Sequence, residues 1–304
     1  MKHKFILFLT LAFLILALPT CKKSSNSGSG DDMEVPDSVI NKGSLEVSDQ
    51  AIENMTQNIS SPIETAALIK KLNVPFSHDL IASTENVDYY STNFKQAIVL
   101  GIYGADLGYL NMYGKTSAAI DFLTSIKKLA NKLKIGQFFD FRTLKRLASN
   151  NENIDSLIYI SQRNFNQMYR YLRENRRSNI SVLMVAGVWI EGLYITGQVY
   201  EMNPDEELRE AIGEQKIMIS DLMILLRNYE RNEDFAKLIE DYEEIYDLFK
   251  EVKITYEQGE PEKVVEDGRL IIKQNTKSIV NISDEVLDKI IKKSKETRNK
   301  LISD

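Results

Sequence analysis

Three polar side chains stand where their surroundings are apolar: Asp106, Glu191 and Gln215. By helical neighbourhood Asp106 lies among Ile102, Tyr103, Tyr109, Leu110 and Tyr113. Glu191 interrupts the most apolar stretch of the mature chain, in Trp189-Ile190-Glu191-Gly192-Leu193-Tyr194, and Gln215 falls on the apolar stripe of its own segment. A buried carboxylate without a partner is costly. The two acids therefore need donors, and Tyr103, Tyr109, Tyr113, Tyr194, Gln215, Lys216 and Arg170 are at hand. The expectation is that Asp106, Glu191 and Gln215 converge in one polar pocket between central helices. Such a pocket is either a network fixing helix register or a site for a small ligand or glycan, lined also by Tyr103, Tyr109 and Tyr194. Two carboxylates about 5–9.5 Å apart could also hydrolyse a glycosidic bond. Nothing else in the chain has the look of a sugar cleft, so a carboxylate-based hydrolase stands third.

Other residue types narrow the chemistry. Cys21 is the only cysteine, and His78 is the only histidine outside the first twenty residues. Zinc sites of His and Cys and histidine-based triads lose their usual donors; no catalytic residue, metal site or cofactor is expected. There is no glycine-rich phosphate loop. Gly101, Gly104 and Gly108 leave a bare strip on one helix face. Glycine costs up to about 1 kcal/mol against alanine there, so the strip implies close helix packing or direct ligand approach. Arg163, Arg170 and Arg177 repeat every seven residues and form a basic ridge, either a solvated face or a dock for an anionic glycan, lipid headgroup or acidic partner.

The elements that must position these groups are helical. Prolines number only six in 304 residues, which suits long helices better than a many-turned sandwich. Capping and periodicity predict helices over about 61–72, 87–113, 116–133, 138–147, 154–176, 180–202, 204–229, 233–256 and 283–302. The 180–202 segment is apolar nearly all round and belongs at the centre. Val264 to Ile272 around Asp267-Gly268 reads as a β-hairpin. The fold expected is an all-α, antiparallel multi-helix bundle over 51–304 with a small hairpin at about 264–272; a tetratricopeptide-like array is the alternative.

The chain opens with Lys2, His3 and Lys4, then an apolar run from Phe5 to Leu18 that is too short to span a bilayer. Leu18-Pro19-Thr20-Cys21 resembles the lipobox of bacterial lipoproteins, with Thr20 departing from the usual small residue. The resemblance implies cleavage of residues 1–20 as a signal peptide and attachment of palmitate-type acyl chains to Cys21. Lys22 after the cysteine points to the outer membrane, and Lys22-Lys23-Ser24 to a periplasm-facing anchor. Residues 21–50 then form a flexible tether, about 30 Å end to end. Tyr103-x-x-Asp106-Leu107-x-Tyr109 and Trp189-Ile190-Glu191-x-Leu193-Tyr194 resemble uncharacterised all-helical lipoproteins of Gram-negative envelopes, which implies a helical fold and no particular activity.

The formal charge of −6 makes nucleic acid a poor partner. The expected role is a non-catalytic scaffold or interaction module of the cell envelope, held to the membrane through lipidated Cys21. Its partner would be an envelope protein or an anionic glycan.

Overall fold

A computed structural model describes residues 68–148, 154–259, 262–266, 269–273 and 276–303. The expected leader, Cys21, the expected tether, most of the expected 61–72 helix and the expected turn at Asp267-Gly268 lie outside the described residues. The described elements all belong to one compact unit, Ser44–Asp304.

Among the described residues, a helical piece at 68–71 is followed by eight α-helices in order: α1 Asn93–Met112, α2 Thr116–Lys132, α3 Phe141–Ala148, α4 Ile154–Glu174, α5 Ser178–Met202, α6 Glu206–Arg227, α7 Glu233–Phe249 and α8 Asp284–Ile302. Side-chain caps fix several starts: Thr92 accepts from the Lys95 N–H, Asn232 from Asp234 and Phe235, and Ser283 from Val286. At α6 the cap is Asp205, accepting from the Glu207 N–H, and Asn203 closes α5.

The protein is an all-α bundle built around α5, whose described side chains are buried for most of its length. Helix α5 packs against α1, α4, α6 and α8. In a tetratricopeptide-like array each unit would touch only its neighbours in sequence; here one helix serves as a hub. By length and hydropathy α5 could cross a membrane, but nearly all of its apolar window is buried in the bundle.

The closest contact is between α1 and α5. A Cβ on Gly101 would lie 2.0 Å from the Met184 carbonyl oxygen, and one on Gly187 would lie 2.0 Å from that of Ile98. The glycine strip thus has a packing reason at Gly101, matched by Gly187 on the facing helix. Gly104 is exposed and has nothing near it. Helix α8 runs opposite to α5, with Ile291 at Gly197 and Arg298 at Glu191, and its end meets Tyr90 and Lys95 at the start of α1, so the non-consecutive helices α1 and α5 run in the same direction.

Two boundaries differ from the periodicity. Val87 belongs to a short 3-10 turn, Glu85–Asp88, and α1 begins only after Thr92. Helix α7 stops at Phe249, and the apolar pattern running on through Val252 leads into a strand. Strand β1 (Lys253–Gln258) pairs antiparallel with β4 (Thr276–Asn281), enclosing the expected pair β2 (Glu262–Glu266) and β3 (Arg269–Lys273). Ile254, Thr255 and Tyr256 favour a strand over a further helical turn.

Candidate functional site

The polar centre of the bundle joins α1, α5 and α8. Asp106 and Glu191 have no exposed surface, and Arg298 is 4% exposed. The Arg298 guanidinium grips the Glu191 carboxylate with two bonds of 2.8 Å, Nε to Oε2 and Nη2 to Oε1. This fork-to-fork pairing is the strongest form of charge-assisted hydrogen bond. The face of Arg298 lies 4.5 Å from the centre of the Tyr194 ring, which adds a cation–π contact. Burial opposes the charge of Arg298, yet the adjoining Glu191 outweighs it and holds the guanidinium above its usual pKa.

Asp106 completes the cluster from α1. Its Oδ2 accepts the backbone N–H of Ala82 at 3.1 Å, while Oδ1 has no donor. Asp106 lies near enough to Glu191 for the two charges to oppose each other, and two ionised carboxylates can only accept. A proton on Asp106 would relieve that opposition and supply a donor. Burial first, then the charge of Glu191, push the Asp106 carboxyl well above the usual carboxylate range, against the smaller pulls of Arg298 and the Ala82 N–H. With that proton in place the cluster would hold one carboxylate and one guanidinium, in balance.

A raised carboxyl pKa has a signed consequence for stability. Between the ordinary carboxylate value and that of Asp106 the folded chain holds a proton that the unfolded chain has released. Stability therefore falls as pH rises through that window, by about 1.4 kcal/mol per pH unit for one proton. Asp106→Asn keeps an acceptor for Ala82, offers an N–H to Glu191 and cannot ionise. Urea unfolding at a series of pH values should show the parent losing stability relative to Asp106→Asn with rising pH. Parallel curves would mean that Asp106 is ionised in the folded protein.

The tyrosines around Asp106 act on backbone. Tyr113 Oη donates to the Val74 carbonyl at 2.6 Å, Tyr109 Oη accepts from the Ser77 N–H at 3.2 Å, and Tyr103 Oη donates to the Ser83 carbonyl at 2.8 Å. With the Asp106–Ala82 bond, one face of α1 fastens residues 74–83 as a strap along its length. Burial, assisted by Tyr109, pushes the Tyr113 hydroxyl up to about 12, and burial also raises Tyr109 and Tyr103. All three stay protonated at neutral pH. The Tyr-x-x-Asp-x-x-Tyr spacing is the helical repeat of this fastening.

Gln215 lies elsewhere. Its Oε1 accepts from the Trp189 indole N–H at 3.1 Å, and its Nε2 donates to the Ala211 carbonyl. Trp189 and Glu191 are two residues apart on α5 and so point about 200° apart. Gln215 therefore serves the α5–α6 side, where Trp189 also meets Tyr242, and makes no bond to either carboxylate. Lys216 is spent on the Val252 carbonyl. In the basic ridge Arg163 and Arg170 are exposed, but Arg177 Nη2 donates to the Leu133 carbonyl at 2.9 Å, where a cation suits the end of α2.

Arg298 is the residue that sequence reading missed. The final helix carries Leu287, Ile291, Ser294, Arg298 and Leu301 on one buried stripe, so a cation at a core position was there to be read. Away from the cluster, a cleft of about 360 Å³ opens between Asn73–Val74 and Asn111–Gly114. The Asn111 amide in its wall is 7% exposed and both polar atoms lack partners. Among the described residues no group of His, Cys, Asp and Glu is arranged to hold a metal.

No family model matches the chain, and no curated protein or solved structure shows significant similarity to it.

Proposed function

We propose that the chain is a lipid-anchored, periplasm-facing helical lipoprotein of the outer membrane, acting as a non-catalytic scaffold or interaction module. The observation that carries this reading is the closure of the carboxylate cluster. Asp106 and Glu191 have no solvent access; Glu191 is bonded to Arg298 and Asp106 to the Ala82 N–H. A general acid or base must reach its substrate, and a ligand pocket must be concave and open. The most chemically suggestive residues thus work on the fold, which leaves the exposed surface to carry function.

The anchor and the non-catalytic role have separate tests. Palmitate supplied to growing cells should label the full chain in the membrane fraction, and Cys21→Ser should lose the label and, in a wash at about 200 mM salt that releases charge-held protein, its membrane retention. A Cys21→Ser chain that stays membrane-bound through that wash would overturn the anchor. In a strain lacking the protein, a folded Asp106→Asn chain should restore whatever envelope property is lost. Failure to restore it would return the role to the chemistry of that carboxylate.

A further inference from the structure

The charge of this chain is segregated. Between residues 114 and 177 there are thirteen Lys and Arg against five Asp and Glu, a net of +8 in a protein of net −6. Between residues 201 and 260 the balance reverses, with eighteen acids against seven bases. The basic segment is α2, α3 and α4, which lie together: α3 packs on both α2 and α4, Phe138 meets Tyr171, and Lys127 sits over the Phe141 ring. Lys127, Arg142, Arg146, Arg163, Arg170 and Arg176 are exposed. Among the described residues, Arg146, Arg163, Arg170 and Arg176 have no carboxylate within ion-pair distance.

We infer that the α2–α4 face docks electrostatically on an anionic lipid surface, the headgroups of the bilayer that holds the anchor; this rests on the anchored reading above. Three features favour a membrane over an acidic protein or a linear glycan. The cations are spread over three elements, which suits many headgroups in a plane better than a single chain in a groove. The acidic 201–260 segment is repelled by the same surface, so the charge asymmetry orients the domain as well as attracting it. Ser44 stands only 23 residues after Cys21, and at about 3.5 Å per residue that length keeps the domain within about 80 Å of the bilayer in any conformation. Among the described residues the exposed large apolar side chains Tyr89, Met202, Ile217, Ile224 and Tyr256 all lie outside α2–α4. The described cations of this face make contact by charge, which must weaken with salt.

The compact unit Ser44–Asp304, produced without lipid, should co-sediment with phosphatidylcholine vesicles containing about a third phosphatidylglycerol and not with phosphatidylcholine alone. Raising salt from about 20 to about 200 mM should release it. Arg163→Glu with Arg170→Glu should weaken binding at least tenfold, with an unchanged melting temperature because both side chains are exposed. Lys237→Glu on α7 is the surface control and should bind as the parent does. Equal binding to neutral vesicles, or a double variant that binds like the parent, would overturn the inference. Binding to soluble polyglutamate or dextran sulfate with none to anionic vesicles would also overturn it, in favour of a different anion. Palmitate labelling of Cys21 is independent of this assay. A labelled chain whose Ser44–Asp304 unit ignores vesicles would sink the docking face alone, and an unlabelled one whose unit binds them would sink the anchor alone.

Discussion

Arg298→Met is expected to lower the folding stability by about 3–5 kcal/mol, seen in urea as an earlier midpoint at an unchanged slope. The size comes from what remains behind. Methionine fills much of the space, but Glu191, with no exposed surface, keeps its carboxylate and loses both bonds of the fork. Asp106 beside it can offer one proton and no positive charge. Removing one member of a buried pair is far more damaging than removing the pair, so Glu191→Gln combined with Arg298→Met should recover most of the loss. The coupling in that cycle measures the interaction directly. A cost below about 1 kcal/mol for Arg298→Met, with no recovery in the double variant, would mean that water reaches the cluster. The structural consequence is specific: Arg298 stands near the end of α8, and its bonds to α5 pin the last helix of the chain to its central one.

The sequence was readable wherever a side chain's own periodicity carried the information. An apolar α5, the cap at Ser283 and the burial of Asp106 and Glu191 all follow from residue type and spacing. Legibility failed where a partner is backbone. Nothing in residues 74–83 announces that their carbonyls and N–H groups bond to Tyr103, Asp106, Tyr109 and Tyr113, because every residue carries the same groups. Gln215 was placed with the acids because a stripe shows which side of a helix is buried but not which neighbour it faces. Arg298 is hard to pick out because α8 is rich in charged residues and only its position on the buried stripe sets it apart. The end of α7 was overrun because Phe249 and Val252 continue the helical period across the point where Ile254, Thr255 and Tyr256 turn extended.

Gly101→Ala and Gly187→Ala should each destabilise the protein by at least about 3 kcal/mol, although each adds a single methyl group. The methyl on Gly101 would meet the Met184 carbonyl oxygen at 2.0 Å and the Val188 nitrogen at 2.9 Å; that on Gly187 would meet the Ile98 oxygen at 2.0 Å and the Ile102 nitrogen at 3.1 Å. These obstacles are helix backbone, which cannot swing aside as a side-chain tip could. The two helices must separate, loosening close packing along their whole contact, and the cost reaches or exceeds the usual range for overpacking. Separation also carries Asp106, five residues beyond Gly101, away from Glu191, four beyond Gly187, so the glycine contact sets the spacing of the buried acids. Once the helices are apart the second methyl finds room, and the double variant should cost clearly less than the sum of the two. Gly104→Ala is the internal control: it lies on the same helix with nothing within 4 Å, and relief of glycine's helix penalty should stabilise the protein by up to about 1 kcal/mol. Urea unfolding of the four variants separates the cases, and Gly101→Ala as stable as Gly104→Ala would show that α1 and α5 do not approach this closely.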